Sequence, residues 1–121
     1  MEYLTPQEED AMLIIWHLGK GFVKDFLEMY PEPRPPYTTL ASTVKNLERK
    51  GYVTSRLYGN TYEYTAAVCE KEYKKQFMSG FVKDYFSNSY SELVTFFAQE
   101  QRISAAELKE IIRIIEKQES K

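Results

Sequence analysis

One cysteine, one histidine and one tryptophan stand among 121 residues, with glycine and proline at five each. The lone cysteine, Cys69, excludes an intramolecular disulfide and any cluster of thiolate ligands. The lone histidine, His17, has no second imidazole with which to build a metal site or a catalytic triad, so no metal, cofactor or catalytic activity is expected. Glycine is too sparse for a phosphate-cradling loop: Gly19-Lys20-Gly21 offers two glycines in a turn and nothing else of such a fingerprint. No stretch approaches the run of about 18 apolar residues that spans a bilayer. The opening Met1-Glu2-Tyr3-Leu4-Thr5 lacks the basic start and apolar stretch of a signal peptide, so no membrane insertion is expected and the cytoplasm is the expected location. Neither sign of charge dominates, since 16 Lys and Arg face 18 Asp and Glu. Bulk electrostatics therefore advertise no nucleic-acid partner.

What is present is apolar and periodic. Hydrophobic residues at 43% and aromatics at 15% predict a folded core. Thr5-Pro6-Gln7-Glu8 forms a capping box with proline at the first helical position, and the helix it opens runs to Leu18 before Gly19 stops it. Phe22, Val23, Phe26, Leu27 and Tyr30 recur at helical spacing for two turns, until Pro31-Glu32-Pro33-Arg34-Pro35-Pro36 forbids continuation. A third helix, over residues 37–50, carries Leu40, Val44 and Leu47 on one stripe and ends at Gly51. The period then changes to that of strands, over 52–58 and 61–65, joined by Gly59-Asn60 in the manner of a type I′ or II′ hairpin. Beyond Cys69 three more helices are expected. Their apolar stripes are Tyr73, Phe77, Phe81 and Tyr85, then Tyr90, Leu93, Val94 and Phe97, then Leu108, Ile111, Ile112 and Ile115, with a second capping box at Ser104 and Glu107.

Three helices followed by a hairpin is the order of a winged helix-turn-helix, in which the third helix enters the major groove and the wing touches the backbone beside it. The expected fold is mainly α with a small β-hairpin: a DNA-binding winged helix over 1–68 and a helical dimerisation domain over 69–121. Local charge agrees with this order. Between Tyr37 and Tyr58 the cations Lys45, Arg49, Lys50 and Arg56 meet one acid, Glu48. Opposite the apolar stripe of the third helix lie Thr38, Ser42, Lys45 and Arg49, with Asn46 beside them. Lys and Arg bond guanine or phosphate, Asn pairs with adenine, and hydroxyls suit either. The expected DNA contacts are Thr38, Thr39, Ser42, Lys45, Asn46 and Arg49 on the helix, Lys50 at its end and Arg56 on the wing. The alternative is a winged-helix module whose cationic face meets an acidic protein and has no DNA target.

The three C-terminal stripes cannot all be buried within so short a segment, and a symmetric second copy would bury them. Tyr73, Phe77, Phe81, Tyr85, Leu93, Val94, Phe97, Leu108, Ile111, Ile112 and Ile115 are the expected dimerisation residues. Interleaving would also place two recognition helices on a palindromic double-stranded operator.

Several stretches together resemble the BlaI/MecI family of penicillinase and methicillin-resistance repressors. They are Leu4-Thr5-Pro6-Gln7-Glu8-Glu9 with Ile14-Ile15-Trp16, the segment from Thr39 to Val53, the wing Tyr62-Glu63-Tyr64, and the tail stretches Glu92 to Ala98 and Ser104 to Leu108. The resemblance covers nearly the whole chain and implies a homodimeric transcriptional repressor on a palindromic operator. In that family derepression follows cleavage in the C-terminal domain, triggered by a membrane-bound metalloprotease that senses β-lactams. The bond cut there is an Asn-Phe step that aligns with Phe96-Phe97 here, so Phe96 stands where the family has Asn.

Overall fold

The computed structural model describes residues 2–119. Six helices and three short strands follow in the order α1 (Pro6–Leu18), β1 (Lys20–Phe22), α2 (Val23–Glu28), α3 (Tyr37–Arg49), β2 (Val53–Tyr58), β3 (Thr61–Ala66), α4 (Glu70–Tyr85), α5 (Tyr90–Gln99) and α6 (Ala105–Glu119). They divide into two compact units, 1–74 and 75–121.

The first unit is a winged helix. Its capping box forms as the sequence predicts, with Glu8 N–H donating to Thr5 Oγ1 at 3.2 Å and Thr5 N–H donating to Glu8 Oε1 at 2.9 Å. The core gathers Ala11, Met12 and Ile15 from α1, Val23 and Phe26 from α2, Leu40, Val44 and Leu47 from α3, and Tyr52, Val53 and Tyr64 from the sheet side. Full burial of each large apolar side chain is worth about 1.5–3 kcal/mol. Gly51, at φ 87°, ends α3 in a left-handed turn: its N–H reaches Glu48 O at 3.0 Å and Tyr52 N–H reaches Leu47 O at 2.9 Å. That turn drops Tyr52 and Val53 straight into the core.

The sheet has three strands, where the sequence predicts two. β3 lies in the middle, paired antiparallel with β2 from Val53↔Ala66 to Tyr58↔Thr61 and with β1 from Lys20↔Thr65 to Phe22↔Glu63. Lys20 and Gly21, which the sequence predicts as a turn, form a strand together with Phe22, which leaves the predicted second helix, and α2 shrinks to six residues. Three residues are too few to show a strand period, and the stripe of Val23, Phe26 and Leu27 masks the change. At the hairpin tip Gly59 takes φ 59° and Asn60 does not share the positive φ, which selects type II′ from the two expected turns.

Beyond the capping box with Thr5 the sequence predicts no partner for Glu8, yet Glu8 is buried and accepts from Lys50 Nζ at 2.6 Å. Lys50 also donates to the carbonyl of Tyr3 at 3.1 Å. Burial alone would raise the Glu8 carboxyl, but the bonds from Lys50 and Thr5, with the lysine charge, hold it below its ordinary value.

In the second unit the helices start as expected, Ser89 Oγ accepting from Glu92 N–H at 3.1 Å and Ser104 and Glu107 closing a reciprocal box at 2.9 and 3.1 Å. Left-handed Ser87 and Asn88 turn the chain between α4 and α5, and left-handed Gln101 ends α5. Val82 is the one fully buried large side chain of this unit among the described residues.

Truncation of Lys50 to Ala leaves a buried carboxylate without its cation, with an expected cost of about 3 kcal/mol in urea unfolding at neutral pH. Because folding lowers the Glu8 pKa, the pair's contribution is complete above the unfolded-state value of about 4.3 and is lost as pH falls through the lower folded value. A Glu8→Gln variant should lack that part of the acid loss; an identical acid profile in variant and wild type would contradict the assignment.

Candidate nucleic-acid interface

The face of α3 turned away from the core is built from residues that the apolar stripe leaves over. With Leu40, Val44 and Leu47 buried, Thr38, Thr39, Ser42, Lys45, Asn46 and Arg49 are all exposed. Thr43 is half-buried and its hydroxyl donates back to Thr39 O at 3.0 Å. Pro36 caps α3 without a side-chain bond, so backbone N–H groups of the first turn stay open at the positive end of the helix dipole.

Glu48 is the one carboxylate on α3, and it accepts from the Ser55 hydroxyl on β2. Together Lys45, Glu48, Arg49, Ser55, Tyr62 and Tyr64 line a groove of about 460 Å³ between helix and hairpin. Tyr64 forms its buried floor; burial first, and the nearby Glu48 charge second, raise its phenol above the ordinary value. Tyr62 is exposed on the wing, and so is Tyr58, which packs edge-on to Phe22 at 6.2 Å. Arg56 lies 5.1 Å over the Tyr58 ring and opposite Glu63 in the strand register. The groove's exposed cations are thus Lys45 and Arg49, with Arg56 further along the wing.

Lys50 does not join them. The sequence places it at the end of the helix as a phosphate contact, but its side chain is only 10% exposed and turns inward to Glu8 and Tyr3 O. Position 50 lies one residue past Arg49, about 100° round the helix, and a buried carboxylate sits on that side. Tyr73 departs in the same way from the dimerisation set. Its hydroxyl donates to Glu9 Oε2 at 2.8 Å and its ring packs at 5.4 Å from Trp16 and 5.8 Å from Tyr52, all in the first unit.

Ser55 is a groove residue that the sequence reading passes over. The signal is the strand alternation itself: Val53 and Ser55 share the face that β2 turns to α3. Arg34, in the proline-rich connection, is occupied with the α2 end, donating to Tyr30 O at 3.1 Å and Glu28 O at 3.2 Å. His17 and Cys69 are both exposed, Cys69 at the junction between β3 and α4. No metal-holding group of His, Cys, Asp or Glu occurs among the described residues, and no described helix is long and apolar enough to cross a membrane.

The penicillinase repressor family model matches residues 4–117. The chain belongs to that family. It is similar to the methicillin resistance regulatory protein MecI of Staphylococcus aureus (strain N315), of Staphylococcus epidermidis and of Mammaliicoccus sciuri, at 20% identity over 117 residues and 94% of each chain in every case. The family consists of transcriptional repressors and not enzymes, so transcription regulation is the function class of this repressor.

Exposed Lys45 and Arg49 make no contact on which the fold depends. Lys45→Ala and Arg49→Ala are expected to shift unfolding free energy by no more than about 0.5 kcal/mol, whereas Lys50→Ala should cost several times that. Equal losses at all three positions would contradict the separation of Lys50 from the exposed face.

Proposed function

We propose that this repressor acts as a homodimer on a palindromic operator, each copy inserting α3 into the major groove and laying its hairpin along the flanking backbone. The observation that carries the reading is the conjunction, on one chain, of an exposed cationic helix beside a wing and a second unit whose apolar side chains lie open. Phe77, Tyr85, Val94, Phe97, Ile111, Ile112 and Ile115 are each more than a third exposed, and Phe81, Leu93 and Leu108 are half-buried. A lone chain holding so much apolar surface in water lacks a partner, and a second copy supplies matching stripes. Two copies also double the recognition helices, which a module of net charge −2 needs in order to bind tightly.

In this reading Thr38, Thr39, Ser42, Lys45, Asn46 and Arg49 face base edges and phosphates, and Arg56 meets the backbone beside the groove. Tethered to Glu8, Lys50 serves by fixing α3 rather than by touching DNA. The open N–H groups of the first α3 turn suit a phosphate. Repression then follows from occupation of the promoter, with no cofactor or chemical step.

Proteolytic release, by a membrane metalloprotease sensor or another protease, is the finer part of the proposal. Phe96 and Phe97 lie inside α5, with ring centroids 5.6 Å apart and Phe96 also against Phe86 at 5.8 Å. A helical bond cannot enter a protease cleft without local opening. The intact dimer should therefore resist cutting at Phe96-Phe97, and a cut chain, its broken bond verified by mass, should lose dimerisation and operator affinity together. A cut preparation that still sediments as a dimer and still protects the operator would contradict this.

Titration of a selected dyad-symmetric duplex against a scrambled one tests the main reading. The expected result is tight binding to the first and weak binding to the second, with Lys45→Ala or Arg49→Ala costing about 1–3 kcal/mol for a base contact or reducing the salt slope by about one for a phosphate contact. A chain ending at Lys74 should be monomeric and bind the palindrome poorly. Indifference to the duplex sequence, or wild-type affinity in the double variant, would instead favour a protein-interaction module.

A further inference from the structure

The proline-rich connection between α2 and α3 walls a cavity of about 320 Å³ within the first unit. Tyr30, Pro33, Pro35 and Leu40 give it an apolar lining, and Asp10 on α1 and Thr39 on α3 give it polar edges. A dry cavity of about 150 Å³ holds benzene, so this one has room for a single ring with a short arm.

The lining is set before anything enters. Each proline holds its own φ. Arg34 ties the connection down by donating to Tyr30 O at 3.1 Å and Glu28 O at 3.2 Å, and Glu32 Oε1 lies 3.8 Å from its Nε. Two carbonyls and a carboxylate therefore answer the guanidinium charge. Nothing answers Asp10 in that way: neither its carboxylate nor the hydroxyl of half-buried Tyr30 has a hydrogen-bond or ion-pair partner among the described residues. Burial first, and the Asp10 charge second, raise the Tyr30 phenol above its ordinary value, so the two groups share one field. Rigid apolar walls beside one unanswered carboxylate and one unpartnered hydroxyl complement an apolar body that carries a positively charged donor.

We propose that this cavity is a binding site for a small organic ammonium compound, its apolar body held by Tyr30 and the prolines and its cationic nitrogen at Asp10. The site stands apart from the DNA-binding reading, but one consequence rests on it. Thr39 belongs both to the cavity and to the proposed DNA contacts, so an occupant covers surface that a duplex needs. Ligand and duplex then compete, each weakening the other by the same factor.

The test titrates phenethylamine into the isotope-labelled full chain, with phenethyl alcohol as its neutral counterpart and phenylacetate as its anionic one. The amine should move the amide resonances of Asp10, Thr39 and Thr43 and saturate at millimolar concentration. The alcohol should bind about fivefold more weakly or worse, and phenylacetate should not saturate those shifts. Asp10→Asn, at an exposed position, keeps the walls and should reduce amine binding to the level of the alcohol. No saturable shift at these amides, equal binding of amine and alcohol, or an undiminished response in Asp10→Asn would overturn the assignment. Preferential binding of phenylacetate would overturn it in favour of an anion at Arg34. Saturating amine should also weaken binding of the selected palindrome by about fivefold in wild type and not in Asp10→Asn. Intact amide shifts with unchanged duplex affinity would overturn the competition, and a chain that binds the amine but prefers no duplex would overturn the DNA-binding reading and leave the site standing.

Discussion

Lys50 reaches from the C-terminal end of α3 to a carboxylate buried at the start of α1, and the presentation of α3 depends on that reach. Glu8 holds the first turn of α1 through its reciprocal bonds with Thr5, and Lys50 Nζ lies 2.6 Å from the same Oε1. Two charges taken out of water are tolerated only when each satisfies the other, so neither side chain can turn to solvent without stranding its partner. α1 and α3 are thereby fixed in rotation as well as in contact. Leu40, Val44 and Leu47 face inward in that orientation, and Lys45 and Arg49 are left facing out. Apolar stripes alone allow some slippage of one helix on another, and a buried ion pair with one geometry does not.

The two units solve the problem of apolar surface differently. In the first, three helices and a three-stranded sheet enclose a closed core whose members are almost wholly shielded. In the second, described helices carry stripes of similar strength, yet only Val82 among the large side chains is fully buried. A sequence that spends Phe, Tyr and Ile on surface at helical spacing is complementary to something, and the proposed second copy has the same spacing to offer. One unit is thus built to present a fixed polar face, and the other to present an apolar one.

Much of this was legible in the residues. The capping boxes at Thr5 and Ser104, the α3 stripe ending at Gly51, and the Gly59-Asn60 turn each follow from local chemistry, and each element forms where that chemistry places it. β1 was hidden because three residues carry no period and its pairing with β3 is set by residues more than 40 positions away. The roles of Lys50 and Tyr73 were hidden for a related reason. A lysine at a helix end reads as a phosphate contact, and a tyrosine at i+4 spacing reads as one more member of a stripe. Their partners, Glu8 and Glu9, lie at distances in sequence of 42 and 64 residues. Local pattern gives the elements and their faces, whereas the pairing of buried polar groups is a property of the folded chain.

The number of chains on one operator tests the account most directly. Sedimentation of the full chain mixed with a short palindromic duplex should give two chains per duplex, with the free protein sedimenting as a dimer at the same concentration. One chain per duplex, or a free monomer that binds the palindrome no less tightly than a dimer should, would contradict the account.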